Sequence, residues 1–254
     1  MEVFELFAEV GGLEILHPGG YELTDALARR VKIGPEHKVL DVASGVGLAA
    51  CFLAEKYGCQ VTGTDSSVRM VELAERNAAR KGLQGKVNFV RTEGWTVPFP
   101  ENTFDVGLCE CSMGMCPAKP SLLSKMIRAL KAGGKVAIHD MTWLDLGVEE
   151  NVRTNIYKKI QTSPESEEDW AAIFRSAGLI DVEVEPCNEL IHQFVHDVKK
   201  QVSARKRLSM ITTAFVRGGF SGLREIIQFM TEFESAVKNN RIGYAIVVGT
   251  KPKN

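Results

Sequence analysis

Val39-Leu40-Asp41-Val42-Ala43-Ser44-Gly45-Val46-Gly47-Leu48-Ala49-Ala50 is the most informative stretch of this chain. An apolar strand runs into an acidic residue, a loop with two glycines follows, and a helix opens on small residues. Glycine has no Cβ and tolerates unusual φ/ψ, so the loop lets a ligand approach the backbone closely. It also aims helix N-terminal N–H groups at a negatively charged group. The chain therefore begins its core by building a nucleotide-like pocket. Gly45-x-Gly47-x-x-Ala50 fits the dinucleotide fingerprint, and Asp65 lies at a suitable distance for a ribose-binding acid.

The acid inside the strand end separates two readings. Asp41 stands four residues before the first glycine. A pyrophosphate is anionic, and a carboxylate at that point repels it. S-adenosylmethionine (SAM) has no phosphate and carries an ammonium and a sulfonium, so an acid beside the loop is favourable. The pattern Asp-x-Ala-x-Gly-x-Gly resembles the first motif of class I SAM-dependent methyltransferases. Ala43 stands where that family usually has glycine, a departure that keeps a small side chain. The resemblance implies that Asp41, Ala43, Gly45 and Gly47 surround SAM. An NAD-dependent oxidoreductase is disfavoured by Asp41 and by the lack of a Tyr-x-x-x-Lys or similar hydride-transfer set.

At 254 residues the chain fits one α/β domain with an insertion or a cap, and can bury a sizeable core. Acidic and basic residues nearly cancel at net −1, which argues against nucleic acid as the main partner. No stretch approaches the ~20 apolar residues of a membrane span. Met1-Glu2-Val3-Phe4-Glu5 lacks the basic-then-apolar pattern of a signal peptide. The six cysteines are scattered, with three crowded together. They read as reduced cytoplasmic thiols and not as a disulfide framework.

Residues 1–37 read as a helical lead-in, punctuated at Leu16-His17-Pro18-Gly19-Gly20-Tyr21, with Thr24 capping a helix over Asp25–Val31. Strand patterns fall at 38–42, 60–64, 86–91, 104–109, 134–139, 181–186 and 243–249. Helical patterns fall near 47–57, 67–81, 120–131 and 167–177. This alternation predicts an α/β fold, a doubly wound, seven-stranded, mostly parallel sheet with an antiparallel last strand. Lys131-Ala132-Gly133-Gly134-Lys135 reads as a helix stop and a tight turn into the fifth strand. Residues 188–239 form a long helical pattern broken at Gly218-Gly219 and Gly222. The expected division is a SAM-binding domain over 1–187 plus 240–254, with 188–239 inserted as a helical cap over the strand C-termini. The apolar side chains of the insertion, among them Ile191, Phe194, Val195, Leu208, Met210, Ile211, Phe215, Phe220 and Ile226, would line a pocket or form a homodimer interface.

Four further segments carry chemistry. Asp65 ends the second strand, where its two oxygens can accept both hydroxyls of a ribose; alternatively, with Ser66, it caps the next helix. Thr92-Glu93-Gly94-Trp95-Thr96-Val97-Pro98-Phe99 resembles the Gly-Asp-Ala-x-x-Leu-Pro-Phe segment of the branch containing ubiquinone/menaquinone C-methyltransferases and arsenite methyltransferases. That resemblance implies that Glu93 accepts from the adenine amino group, with Gly94 beside the ring and Trp95 as pocket wall. Phe104-Asp105-Val106-Gly107-Leu108-Cys109-Glu110-Cys111-Ser112 is the fourth strand and its exit. Cys109 stands where the family's backbone touches the methionine end of SAM, and Cys111 where arsenite methyltransferases carry a thiol. Period-two alternation puts Cys109 and Cys111 on one face and Glu110 on the other. With Cys116, these thiols would hold a soft substrate, or simply pack in the core. His139-Asp140 ends the fifth strand, where His139 would act as general base and Asp140 would orient substrate.

His17, Tyr21 and Trp143 are additional loop candidates. His192 and His196 share a helix face but lack an evident third ligand, and no metal site is expected. The resemblance as a whole implies a SAM-dependent methyltransferase acting on a small molecule, either a soft thiol or arsenic nucleophile or a quinol-like ring. The alternative is a non-catalytic SAM-binding interaction module.

Overall fold

A computed structural model describes residues 17–144, 153–154, 156–158, 162–201 and 204–253. The remainder of the expected helical lead-in and most of the polar stretch after Leu144 lie outside the described residues. The chain lays down α1 (Gly20–Arg30), β1 (Lys38–Val42), α2 (Leu48–Tyr57), β2 (Gln60–Asp65), α3 (Val68–Arg80), β3 (Val87–Arg91) and β4 (Phe104–Glu110). There follow α4 (Lys119–Ala129), β5 (Leu130–Trp143), α5 (Glu167–Ser176), β6 (Ile180–Pro186), α6 (Asn188–Gln201), α7 (Ala204–Lys238) and β7 (Ile242–Thr250). The seven strands form one sheet in the order β3-β2-β1-β4-β5-β7-β6. β7 runs antiparallel to both β5 and β6, and the other pairings are parallel. This is the expected doubly wound α/β fold.

Alternation along the strands divides the core in two. Val39 faces a cluster with Leu27 of α1, Leu53 of α2, Ala74 of α3 and Tyr244 of β7. Leu40 and Val42 face the opposite cluster, with Leu122 and Met126 of α4 and Trp170 and Phe174 of α5. Burying these apolar faces against helices on both sides is the main force holding the sheet. Trp170 is fully buried, and its indole N–H donates to the Met141 carbonyl at 3.2 Å, so the ring adds apolar area without an orphaned donor.

Local chemistry departs from the sequence reading at three points. Thr24 does not cap α1. The helix begins one turn earlier, with Gly19 as N-cap in the left-handed region at φ 77°, and Thr24 is buried inside it. Its hydroxyl donates to Glu110 Oε2 at 2.7 Å. The cap of α3 is Ser67 and not Ser66: its hydroxyl accepts the Met70 N–H at 3.1 Å. Gly133-Gly134 is a bulge within β5. Leu130 pairs with Phe104, the register shifts, and Lys135 resumes pairing with Val106. A Cβ on Gly134 would sit 2.9 Å from the Asp105 carbonyl oxygen, so only glycine fits there.

The helical pattern of 188–239 resolves into α6 and α7, and α7 is broken at Gly219 (φ 59°, ψ −150°), within the expected glycine bend. Ile191, Ala236 and Val237 sit in the same core as β7. Phe215, Val216, Phe220 and Ile227 of α7 are exposed.

The glycine loop illustrates how tightly the first turn is packed. Gly47 is left-handed (φ 72°), and a Cβ there would lie 2.4 Å from the Phe89 ring and 2.7 Å from Ala74 Cβ. Gly45 is also left-handed (φ 52°), but its Cβ position is open. Gly45→Ala should therefore cost only the left-handed penalty, ~1–2 kcal/mol. Gly47→Ala should cost that plus an overpacking penalty of ~1–3 kcal/mol. Urea denaturation of the two variants checks the ordering, and equal losses would contradict it.

Candidate active site

The C-terminal ends of β1, β2 and β4 open into a cleft of about 360 Å³. The sheet order places β1 between β2 and β4, so residues at their ends meet across one crevice, the usual ligand position in open α/β sheets. Asp41 of β1, Asp65 of β2 and Glu110 of β4 all line it, as do His17 and Tyr21 from the N-terminal side. Among the described residues, no lysine or arginine lines it.

Asp41 is 2% exposed, and its Oδ2 has no hydrogen-bond partner among the described residues. Burial, then the charges of Glu110 and Asp65, push its carboxyl well above the usual carboxylate range. An acid in this position beside the cleft is suited to a cationic ligand group, which would favour its ionised form. The loop beyond it turns through Ala43 in the left-handed region at φ 58°, a conformation that glycine adopts with less strain. Asp65 anchors the loop: Oδ2 accepts the Gly45 N–H and Oδ1 the Ser67 N–H, both at 2.9 Å. Ser66 is exposed at the cleft rim.

Along the next loop, Thr92, Gly94, Trp95 and Thr96 line the cleft. Glu93 is exposed and outside the lining; its carbonyl accepts the Thr96 hydroxyl at 3.0 Å. Lys125 of α4 pins this loop by donating to the Trp95 carbonyl at 3.1 Å.

The exit of β4 departs most from strand alternation. Cys109 is fully buried in the cluster with Leu122 and Met126, away from the cleft. Cys111 adopts φ 53°, which rotates it out of the strand pleat, and packs against the opposite cluster while lining the cleft beside Glu110. The two thiols therefore do not share a face. Cys116 is buried with Cys109's cluster. Burial pushes the thiols of Cys109, Cys111 and Cys116 up, and Cys187 to about 12, so each is held in its protonated form near neutrality.

His139 and Asp140 lie inside β5, which continues to Trp143. Asp140 is consumed by backbone: Oδ2 accepts the Gly114 N–H and Oδ1 the Met141 N–H, both at 2.8 Å. It thereby positions the short 3₁₀ turn Met113–Met115 below the cleft. His139 is fully buried. Its Nε2 lies 2.8 Å from Glu110 Oε2 and its Nδ1 2.6 Å from the Tyr244 hydroxyl. His17 Nε2 approaches the same Glu110 oxygen at 3.3 Å, and His17 Nδ1 lies 3.1 Å from the Pro18 carbonyl. Glu110 Oε1 is buried and has no partner among the described residues. Burial opposes ionisation of Glu110. The hydrogen bond from His139, with His17 and Thr24, outweighs it and holds the carboxyl at about 2. Burial, then the neighbouring His139, lowers His17 to about 4.

The remaining candidates are dispersed. Trp143 is buried beneath the Arg153 guanidinium, and His192 and His196 are exposed on α6. Glu110, Thr24 and Tyr244 escaped the sequence reading as site residues. The available signal was Glu110 itself, an acid at a strand end one strand over from the glycine loop.

Comparison with known proteins places this geometry. Residues 39–134 match the family model described as a methyltransferase domain. An uncharacterized protein of Haemophilus influenzae is 30% identical over 173 residues, covering 66% of this chain and 68% of that protein. Methyltransferase GfsG of Streptomyces halstedii is 30% identical over 182 residues, covering 70% of this chain and 65% of that enzyme. The chain thus spans about two thirds of the length of each. Among solved structures, the [4+2]-cyclase SpnF shares the fold with a TM-score of 0.81 at 21% identity, covering 99% of this chain and 94% of that one. Phosphoethanolamine N-methyltransferase 2 of Haemonchus contortus, solved with phosphomonomethylethanolamine and S-adenosylhomocysteine, shares it at 0.76 and 21%, covering 98% and 57%. The chain carries a methyltransferase domain and has the fold of class I SAM-dependent methyltransferases. SAM is its cofactor, and an unpartnered Asp41 oxygen beside a cleft whose lining, among the described residues, holds no lysine or arginine fits a ligand carrying an ammonium and a sulfonium.

The depressed His17 and Glu110 values have a consequence for acid stability. A group whose folded pKa is depressed contributes fully above its unfolded pKa and loses that contribution as pH falls through the folded value. For His17 the window runs from 6.5 down to about 4, and for Glu110 from 4.5 down to about 2. The urea midpoint should fall between pH 6.5 and 5 in the natural protein. His17→Gln should flatten that part of the profile; an unchanged slope would remove His17 from the account.

Proposed function

We propose that SAM lies along the cleft with its ribose on Asp65, its adenine between Ser66, Gly94 and Trp95, and its methionine end beside Asp41 and the Ala43–Gly47 loop. The chain is a methyltransferase of small molecules, and the acceptor enters at the end formed by His17, Glu110 and Cys111. Of the two acceptor classes raised by the sequence, we favour a hydroxyl-bearing, quinol-like ring over a soft thiol or arsenic nucleophile. The observation that carries this preference is Glu110. It is an ionised, buried carboxylate of a residue that lines the cleft, and one of its oxygens has no hydrogen-bond partner among the described residues, which leaves it as an acceptor for a hydroxyl group. Against the soft-nucleophile reading, Cys109 and Cys116 face the core and burial keeps all three thiols protonated.

When bound, SAM supplies a methyl group already activated on a sulfonium. The chain's own residues then need mainly to position, exclude water and receive a proton. Asp65 and the glycine loop hold the cofactor in register with β4. Glu110, fixed by Thr24 and His139, orients the acceptor hydroxyl. The 188–239 insertion closes this end: Leu190 of α6 already packs near Gly19, next to the His17 turn that walls the cleft.

Asp65→Ala should weaken SAM binding roughly ten- to a hundredfold, the loss of about 1.5–3 kcal/mol for hydrogen bonds to a charged group. Calorimetry checks it, and an unchanged dissociation constant would remove Asp65 from the site. Cys109→Ser and Cys116→Ser should retain methyl transfer to a quinol-like acceptor in an assay with labelled SAM. The fold is shared with a [4+2]-cyclase, so formation of S-adenosylhomocysteine is the decisive readout. Turnover only with thiol or arsenite acceptors, abolished by these serine variants, would reverse the preference.

A further inference from the structure

We infer that His17, Glu110 and His139 form a binding site for a first-row divalent transition-metal cation at the acceptor end of the cleft. Each offers one ligand atom, and these atoms all lie within 4.8 Å of one another. Three separate parts of the fold bring them together. Glu110 and His139 are register partners in the parallel β4–β5 pair, and His17 is delivered by the turn preceding α1.

The polar groups behind the three ligands are arranged as in the outer shell of a metal site. His17 Nδ1 is held by the Pro18 carbonyl at 3.1 Å, His139 Nδ1 by the Tyr244 hydroxyl at 2.6 Å, and Glu110 Oε2 by the Thr24 hydroxyl at 2.7 Å. A carbonyl only accepts, so His17 Nδ1 carries a hydrogen, and its Nε2 is turned to the carboxylate, 3.3 Å from Glu110 Oε2. Glu110 Oε1 is buried and has no hydrogen-bond partner among the described residues. A cation held between the two rings and the carboxylate would satisfy that oxygen. His139 can join by placing its hydrogen on Nδ1, toward the Tyr244 oxygen.

The donor set selects the kind of cation. Two imidazoles and one carboxylate suit zinc, iron, cobalt or nickel, whereas magnesium and calcium favour all-oxygen sets. His17 and Glu110 line the cleft, so the open coordination positions face the acceptor. A hydroxyl coordinated there releases its proton to water more readily, leaving the oxygen nucleophilic. This last role rests on the hydroxyl acceptor proposed above; cation binding itself does not.

The test uses the full chain, stripped with chelator, without SAM or acceptor, titrated with Co²⁺ and Zn²⁺. One equivalent should bind with micromolar or tighter affinity, with visible Co²⁺ absorption bands of a nitrogen-ligated ion. His17→Ala and Glu110→Gln should each weaken binding at least tenfold, with far-ultraviolet circular dichroism confirming the fold. His192→Ala/His196→Ala, which removes the exposed pair on α6, should leave this site unchanged. Absence of saturable binding would overturn the inference, as would binding lost only in the α6 variant. Should either ligand variant fail to fold, the Co²⁺ spectrum of the natural protein decides, because an ion held by water and carboxylates alone lacks those bands. Cation binding with no turnover on any hydroxyl acceptor would leave this site standing and remove the acceptor proposal instead.

Discussion

The parallel pairing of β1 with both β2 and β4 is the constraint on which the site depends. It carries three carboxylates, Asp41, Asp65 and Glu110, to one edge of the sheet. Like charges so placed repel, and the fold separates them by environment. Asp65 is bound by backbone N–H groups of the loop and of the α3 N-terminus. Glu110 is held ionised by histidine and threonine donors. Asp41 is left buried with an open oxygen and a raised pKa. An acidic, largely pre-formed cleft of this kind costs stability in the free protein and favours a cationic ligand.

Glu110 also ties distant parts of the chain together. Thr24 of α1, His17 of the preceding turn and His139 of β5 converge on one carboxylate oxygen, and Tyr244 of β7 supports His139 from behind. The N-terminal turn is thereby docked onto the sheet at the point where the acceptor would enter. Buried polar groups are tolerable only when their partners are present, so a change at any one of these positions is felt by the others.

The cysteines show how local backbone geometry can override a pattern. Strand alternation groups Cys109 with Cys111. The left-handed conformation of Cys111 ends that alternation one residue after the strand does, turning one thiol into the core and the other toward the cleft. The same turn leaves Glu110 and Cys111 as neighbours on the cleft wall, although they are consecutive in sequence.

The amino-acid sequence by itself determined the strands, the helices that cover them and the glycine loop. Each rests on local periodicity and on residues such as Gly45 and Gly47 whose conformational freedom is intrinsic. It also pointed to the cofactor class, because an acid at position 41 beside the glycine loop disfavours a pyrophosphate and suits a cationic ligand. Only the tertiary structure decided which acids and histidines meet. His17, Glu110, His139 and Tyr244 are separated by up to 227 positions, and their convergence follows from strand order and register, which no local pattern encodes. Tertiary packing likewise drew Thr24 from a cap to a carboxylate partner and Asp140 from the cleft to a backbone clamp. In both cases a buried charge with a fixed neighbour outcompeted the local preference.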